Sequence, residues 1–438
     1  MFSQQVKIEG GFDVSYPRMI RVRQKFQDVK IDHIDEAIRQ QFLKEDVRVK
    51  IKPGMRVAVA VGSRGIANLQ QIAFSTVKEI KGLGGEPFIV PAMGSHGGAT
   101  AEGQLEILQQ YGITEESMGC PILSSMQTVQ VGQLPNGLPL YFDQFAYESD
   151  AIVAIGRVKP HTDFKGPIES GLLKMLVIGL GKHKGASVMH SYGFDRFHEL
   201  IPAAGQALIE KTKIAIGLAV IENAYDETYQ LIAVPAEKIM DTEPHLLKQA
   251  KQAMAKLLVD RIDVLVVDEI GKDISGAGMD PNITGRTLSG LNEGLDAPPI
   301  QKIVVRDLTE KTHGNATGLG AADVITKRCL EKIDFAYTYA NTITSTLLTA
   351  AKIPIVLQND MEALAVAAKT CNRITMDKIK IVWIKNTLDL EHIYVSEPYL
   401  EDLRHREDLK IAGEAEPIQF DQDGNLLSPF QLENMHTR

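Results

Sequence analysis

The chain has 438 residues, 44% hydrophobic and 24% charged, with a formal net charge of −9. At about 150 residues per domain that is roughly three domains or two large ones, enough to bury more than about 70% of the unfolded surface without help from a metal or disulfide. This composition excludes a disordered chain, a collagen-like fibre and a disulfide-framed miniprotein. The acidic balance argues against a general nucleic-acid or anionic-membrane binder, although a few local cations could still hold an anionic substrate.

The N-terminal stretch MFSQQVKIEGGFDV has no apolar signal core, so no secretory leader is expected. Arg56–Val61 (RVAVAV) reads as a buried strand that runs into the turn Gly62-Ser63-Arg64-Gly65 and a helix from about Asn68 to Lys81. Pro87–Val90 is the next strand, followed by the glycine-rich turn AMGSHGGAT and a helix from about Ala101 to Gln110. Ala151–Ile155 is a third strand and leads into the basic loop GRVKPHTDFKG. Ile214–Val220 and Tyr229–Val234 flank a turn-rich stretch and are expected to pair antiparallel, with a helix from about Pro244 to Leu258 after them. A new α/β run starts at Ile262–Val267 and continues with strands at Lys302–Val305, Ile353–Leu357 and Lys380–Trp383. Its helices are expected near Gly320–Lys332, Asn341–Ala351 and Met361–Ala368.

This alternation is the pattern of an α/β protein. The expected division is a first domain over residues 1–259, completed by the tail 411–438, and a second α/β domain over 260–410. Cys120, Cys329 and Cys371 include no C-x-x-C pair, so a disulfide framework and a thiolate zinc site are unsupported and a reducing cytoplasm is the natural compartment. No apolar run reaches the 18 or so residues that span a bilayer. The longest, Gly171–Gly181, is followed by Lys182, His183 and Lys184.

Four polar loops could carry chemistry. Gly62-Ser63-Arg64-Gly65 is either a plain glycine turn or a cradle for a phosphate or carboxylate, since backbone N–H groups and an arginine follow a strand. In Gly94-Ser95-His96-Gly97-Gly98 the glycines leave the histidine uncrowded, which suits an acid, base or ligand. The plainer alternative is a glycine loop in which Thr100 caps the next helix. The third loop, KPHTDFKGPIESGLLKMLVIGLGKHKGASVMH, holds His161, Lys174, His183 and His190. Lys174 inside an apolar run is either a buried amine made nucleophilic by a lowered pKa or a snorkelling helix-end lysine. His183 between two lysines reads as surface. The fourth, GKDISGAGMDPNITGR, offers Lys272 and Arg286 to an anion. No Walker phosphate loop, zinc-protease helix or nucleophile elbow is present.

Together these residues resemble the nickel-dependent lactate racemase family, over most of residues 50–290 and more weakly beyond. AMGSHGGATAEGQ with His96, VKPHTDFKG with His161 and ESGLLK with Lys174 match the family's motifs, and sixteen residues separate Lys174 from His190, as in the family. The chain departs from it too. It has S-G-L-L-K where the family has S-G-G-R-K, and VGSRGIAN where the family has an acidic D-H-T-R-P loop, a pattern of a paralogous subgroup rather than of lactate racemase itself.

The resemblance implies two α/β domains with the active site in the cleft between them. It implies nickel and a pyridinium-3,5-bisthiocarboxylic acid mononucleotide, the nickel-pincer nucleotide, tethered to Lys174 as a thioamide, with His190 as the protein's nickel ligand. Gly62, Ser63 and Arg64 would help bind the cofactor, and Arg64 and Lys272 the substrate carboxylate. His96 and His161 would be the catalytic acid and base. The implied activity is a cytoplasmic racemase or epimerase of a 2-hydroxy acid, either lactate-sized or a larger acid such as a sugar acid, working by reversible hydride transfer from the α-carbon. Its implied partners are the pincer-synthesis proteins and, as a homo-oligomer, other copies of itself, with no nucleic acid or membrane. The alternatives are a metal-assisted isomerase or lyase without the pincer, and a non-catalytic protein that binds nickel or the nucleotide.

Overall fold

The computed structural model describes residues 6–62 and 65–430. Numbered in chain order, its strands are β1 (Met19–Gln24), β2 (Arg56–Val61), β3 (Glu86–Pro91), β4 (Thr128–Gln133), β5 (Pro139–Asp143), β6 (Ala151–Arg157), β7 (Ile214–Glu222), β8 (Thr228–Pro235), β9 (Ile262–Ile270), β10 (Ile300–Leu308), β11 (Val324–Thr326), β12 (Ile355–Leu357), β13 (Ile381–Ile384), β14 (His392–Ser396) and β15 (Leu409–Glu416). The chain forms two compact units, Gln27–Met254 and a second made of the chain up to Phe26 together with Ala255 onward.

The sheet of the first unit has the order β3-β2-β6-β7-β8. The first four strands are parallel and β8 returns antiparallel, as expected for the 214–220 and 229–234 segments. After Arg56 every residue of β2 is buried, and so is all of β6 up to Gly156. Such unbroken apolar runs belong to strands covered on both faces. One cover is the helix Leu69–Gly82, whose Leu69, Ile72, Ala73, Val77 and Ile80 recur at helical spacing and pack on Val57, Val59, Val61, Val153 and Ile155.

The second unit has the order β12-β11-β10-β9-β13-β14-β1-β15. The run from β12 to β13 is parallel, and β14, β1 and β15 are antiparallel additions. Residues 409–416 therefore pair with β1 in this sheet, whereas the tail 411–438 was expected to complete the first domain. The edge of β1 is a row of backbone donors and acceptors, and the tail fills it.

Three expected helices move. The expected helix 320–332 contains strand β11, because the buried segment Val324–Thr326 pairs between β10 and β12, and only Lys327–Glu331 is α-helical. The expected helix 341–351 begins instead at Phe335, where the Asp334 carboxylate accepts the Tyr337 N–H, and ends at Thr344, two residues before Thr346 at φ +61°. The helix expected over 244–258 spans Ile239–Ala253, with Pro244 inside it, and Met254 leaves it in extended conformation. Among the described residues no helix is long and apolar enough to cross a membrane.

Candidate functional site

In the first unit's sheet, β2 steps outward to β3 on one side, while β6 and β7 build the other. Loops leaving the C-terminal ends of β2 and β6 therefore diverge, and open α/β sheets bind ligands at such a crevice. Gly62 follows β2, the His96 loop follows β3 and the His161 loop follows β6. Gly62 is buried, and a Cβ on it would lie 2.8 Å from Met175 Cε, so this loop rests on the residue next to Lys174. Ser63 and Arg64 lie outside the described residues.

The His161 loop is closed by a reciprocal backbone pair, Lys159 N–H to Ser170 O at 2.9 Å and Ser170 N–H to Lys159 O at 3.2 Å. Inside it lies Glu169, fully buried, which sequence reasoning left without a role. Its Oε2 accepts the His161 N–H at 2.7 Å, and its Oε1 accepts Lys251 Nζ at 2.6 Å. Lys165 Nζ donates to the His161 carbonyl at 2.6 Å. A buried carboxylate needs such partners, and these fix the backbone of His161. The His161 ring packs 4.5 Å from the Phe164 ring, and its Nδ1 accepts the Asp163 N–H at 3.0 Å. A neutral ring with Nδ1 so occupied carries its proton on Nε2.

Lys174 ends the single helical turn Leu172–Lys174, which continues as a π-helical turn, Met175–Gly179. Widened turns of this kind recur at functional sites. The turn is capped from below by Glu243, 1% exposed, whose Oε2 accepts the Leu173 N–H at 2.9 Å. Burial pushes the Glu243 carboxyl up to about 7, against the pull of the Leu173 and Leu172 N–H groups.

The helix Lys182–Ser191 carries His190. Its Nδ1 lies 2.7 Å from the Ala186 carbonyl, which can only accept, so Nδ1 is the protonated nitrogen and Nε2 keeps its lone pair. A metal-binding histidine is oriented in the same way. Burial first, and then the nearby Lys174 charge, hold the His190 pKa below its usual value, while the Ala186 bond and Asp163 pull upward. The ring is thus biased to the neutral form that a metal requires. Phe194 lies 5.5 Å from His190 and 6.0 Å from His161, and Phe197 is 5.4 Å from His190. His161 and His190 thus share one aromatic cluster, and the Asp163 and Lys174 charges both act on His190. Among the described residues no group of three or more His, Cys, Asp and Glu side chains could hold a metal ion.

His96 precedes a tight turn, and Thr100 caps the following helix by accepting the Gly103 N–H at 3.0 Å, as the plainer reading of that loop expected. The loop also joins the Lys174 segment, through Gly94 N–H to Gly179 O at 3.1 Å. His183 is exposed. Lys272 belongs to the other unit, where its Nζ donates to the Gly276 carbonyl at 2.6 Å. Arg286 is committed to structure rather than to an anion site, bonding Asp323 Oδ2 at 2.7 Å and three backbone carbonyls.

These features define an α/β protein with a histidine–lysine site at the strand ends of a parallel sheet. Residues 9–196 match the family model of the lactate racemase N-terminal domain. The matched segment contains His96, His161, Lys174 and His190, the residues whose motifs resemble that family. Among solved structures it is similar to a structural-genomics protein of Thermotoga maritima, with 16% identity, a TM-score of 0.47, and 80% of this chain and 95% of that one covered. It is also similar to the lactate racemase apoprotein of Thermoanaerobacterium thermosaccharolyticum, with 13% identity, a TM-score of 0.45, and 84% and 88% covered. No curated protein matches the sequence.

Proposed function

We propose that this protein is a racemase or epimerase of a 2-hydroxy acid that works with nickel and the pincer nucleotide. The observation that carries the reading is His190, oriented by its Nδ1 bond to the Ala186 carbonyl and biased by burial toward its neutral form, in the segment that matches the lactate racemase N-terminal domain model together with Lys174 and His161. When bound, the nickel-pincer nucleotide would supply the acceptor and donor for the α-hydride. Lys174 is the amine that would tether it, and His190 the ligand that would complete the metal. His161, with Nδ1 occupied by the Asp163 N–H, presents Nε2 as a donor and is set to deliver a proton to the substrate oxygen. His96 takes the hydroxyl proton in that direction, and the opposite enantiomer exchanges the two roles. Arg64 and Lys272 are the proposed holders of the substrate carboxylate, and Gly62 and Ser63 of the cofactor. Phe164, Phe194 and Phe197 line His161 and His190 with apolar surface, whereas His96 is exposed.

Co-expression with pincer-synthesis proteins tests this reading. Intact mass and peptide mapping should show an adduct on the Lys174 peptide, absent in Lys174→Ala, together with racemisation or epimerisation of candidate 2-hydroxy acids. In deuterated water the product should carry little deuterium at the α-carbon, because a hydride returns the same hydrogen. Extensive incorporation, or full activity in Lys174→Ala, would overturn it.

A further inference from the structure

Lys182 opens the helix that carries His190, yet its side chain points into the protein and is 0% exposed. It adopts φ +54°, a left-handed conformation that is unfavourable for a residue with a Cβ. The compensation is in its ammonium. Nζ donates to the Pro91 carbonyl and to Gln104 Oε1 at 3.1 Å, and ion-pairs with Asp143 Oδ2 at 3.3 Å. Asp143 is equally buried, and its other oxygen accepts the Ala146 N–H at 2.8 Å.

Gln104 continues this chain of contacts. Its amide donates to the Gly94 carbonyl at 3.0 Å and to the His96 carbonyl at 3.2 Å. One side chain therefore separates the Lys182 ammonium from the backbone of His96. On the other side, His190 stands eight residues along the same helix, about 12 Å by helical rise. An ammonium removed from water loses heavily if its partners drift, so the His96 loop and the His190 helix are tied to one buried charge.

We propose that Lys182, acting through Gln104, is the positioning residue that holds the His96 loop in register with the His190 helix. In terms of the reaction, it fixes the proton-transferring histidine relative to the metal-ligating one. That last clause rests on the function proposed above, whereas the coupling of the two segments does not.

The test uses the full chain co-expressed with the pincer-synthesis proteins. Gln104→Met cuts the arm to His96 and leaves Lys182 with Asp143 and Pro91. The double variant Lys182→Met/Asp143→Leu removes both charges, a replacement that buried ion pairs commonly tolerate in folding. Gln104→Met should speed hydrogen exchange of residues 92–104 by about tenfold, the scale of one or two lost hydrogen bonds, and leave residues 182–191 unchanged. Its kcat should fall by about tenfold or more, with KM and nickel content at wild-type values. The double variant should keep its far-UV circular dichroism, lose kcat equally and exchange faster in both segments. Wild-type exchange at 92–104 with wild-type kcat in either variant overturns the proposal. So does global unfolding of both variants, which would make the network merely structural. If the wild-type holoenzyme turns over no 2-hydroxy acid, the proposed function fails, and the exchange at 92–104 still decides the coupling.

Discussion

Glu243 shows how much of the site depends on residues that carry no motif. It sits 70 positions from the turn it caps, and nothing in the local pattern of residues 239–253 marks it. Its folded pKa of about 7 lies above the ordinary glutamate value of 4.5, so the folded state binds the extra proton. The stability it contributes is fully present below about pH 4.5 and is lost as pH rises toward 7. Glu243→Gln mimics the protonated form and should remove that decline. At pH 8 the variant should be the more stable by up to roughly 3 kcal/mol, read from denaturant midpoints measured across pH. Equal pH slopes in the two proteins would show that the carboxyl titrates normally. Glu169 and Lys182 were as hard to read from sequence. His96, by contrast, stands out because its flanking glycines keep side chains away from it, and His161 because its loop directly follows an apolar strand.

The elements that carry the site were mostly legible, because local periodicity and caps define them. The helix Ala101–Gln110 has its expected bounds, with Thr100 as its cap. Its approach to the His96 loop was not readable from its own sequence. A Cβ on Gly103 would lie 2.1 Å from the Gly97 carbonyl oxygen, and one on Gly97 would lie 2.6 Å from Gly103 C. Helix propensity alone would make Gly103→Ala stabilising by about 1 kcal/mol. The overlap with fixed backbone outweighs that gain, since overpacking costs about 1–3 kcal/mol. Gly103→Ala should therefore lower the denaturant midpoint and disturb the His96 loop, and a more stable variant would contradict the close approach. The misread elements share a cause. Strand β11 and the helix Phe335–Thr344 are set by neighbouring strands and by a single capping aspartate, against a weak local pattern.

At the scale of the whole molecule, the second unit is closed by a buried ionic cluster. Arg306 on β10 bonds Asp268 on β9, Asp360 at 2.8 Å and the Leu426 carbonyl at 2.7 Å. Asp268 also accepts from Trp383 and Ser428. The cluster thus pins residues 426–428 to the strand ends. Arg306→Met strands two buried carboxylates and should cost roughly 3–5 kcal/mol, measured by urea unfolding. Protease should then cut the released segment around residues 421–428 before any other site, and an uncut tail would assign its docking to apolar contacts. From sequence alone came the α/β class, the apolar strands β2, β6 and β9, and the glycine-flanked and strand-end histidines, all of them encoded within a dozen or so neighbouring residues. Only tertiary structure decided that β1 and β15 share a sheet, that Lys182 is buried, and that Glu169 and Glu243 brace the His161 loop and the Lys174 turn. Those features depend on which distant groups can satisfy an open strand edge or a buried charge, and the local order of residues does not specify that.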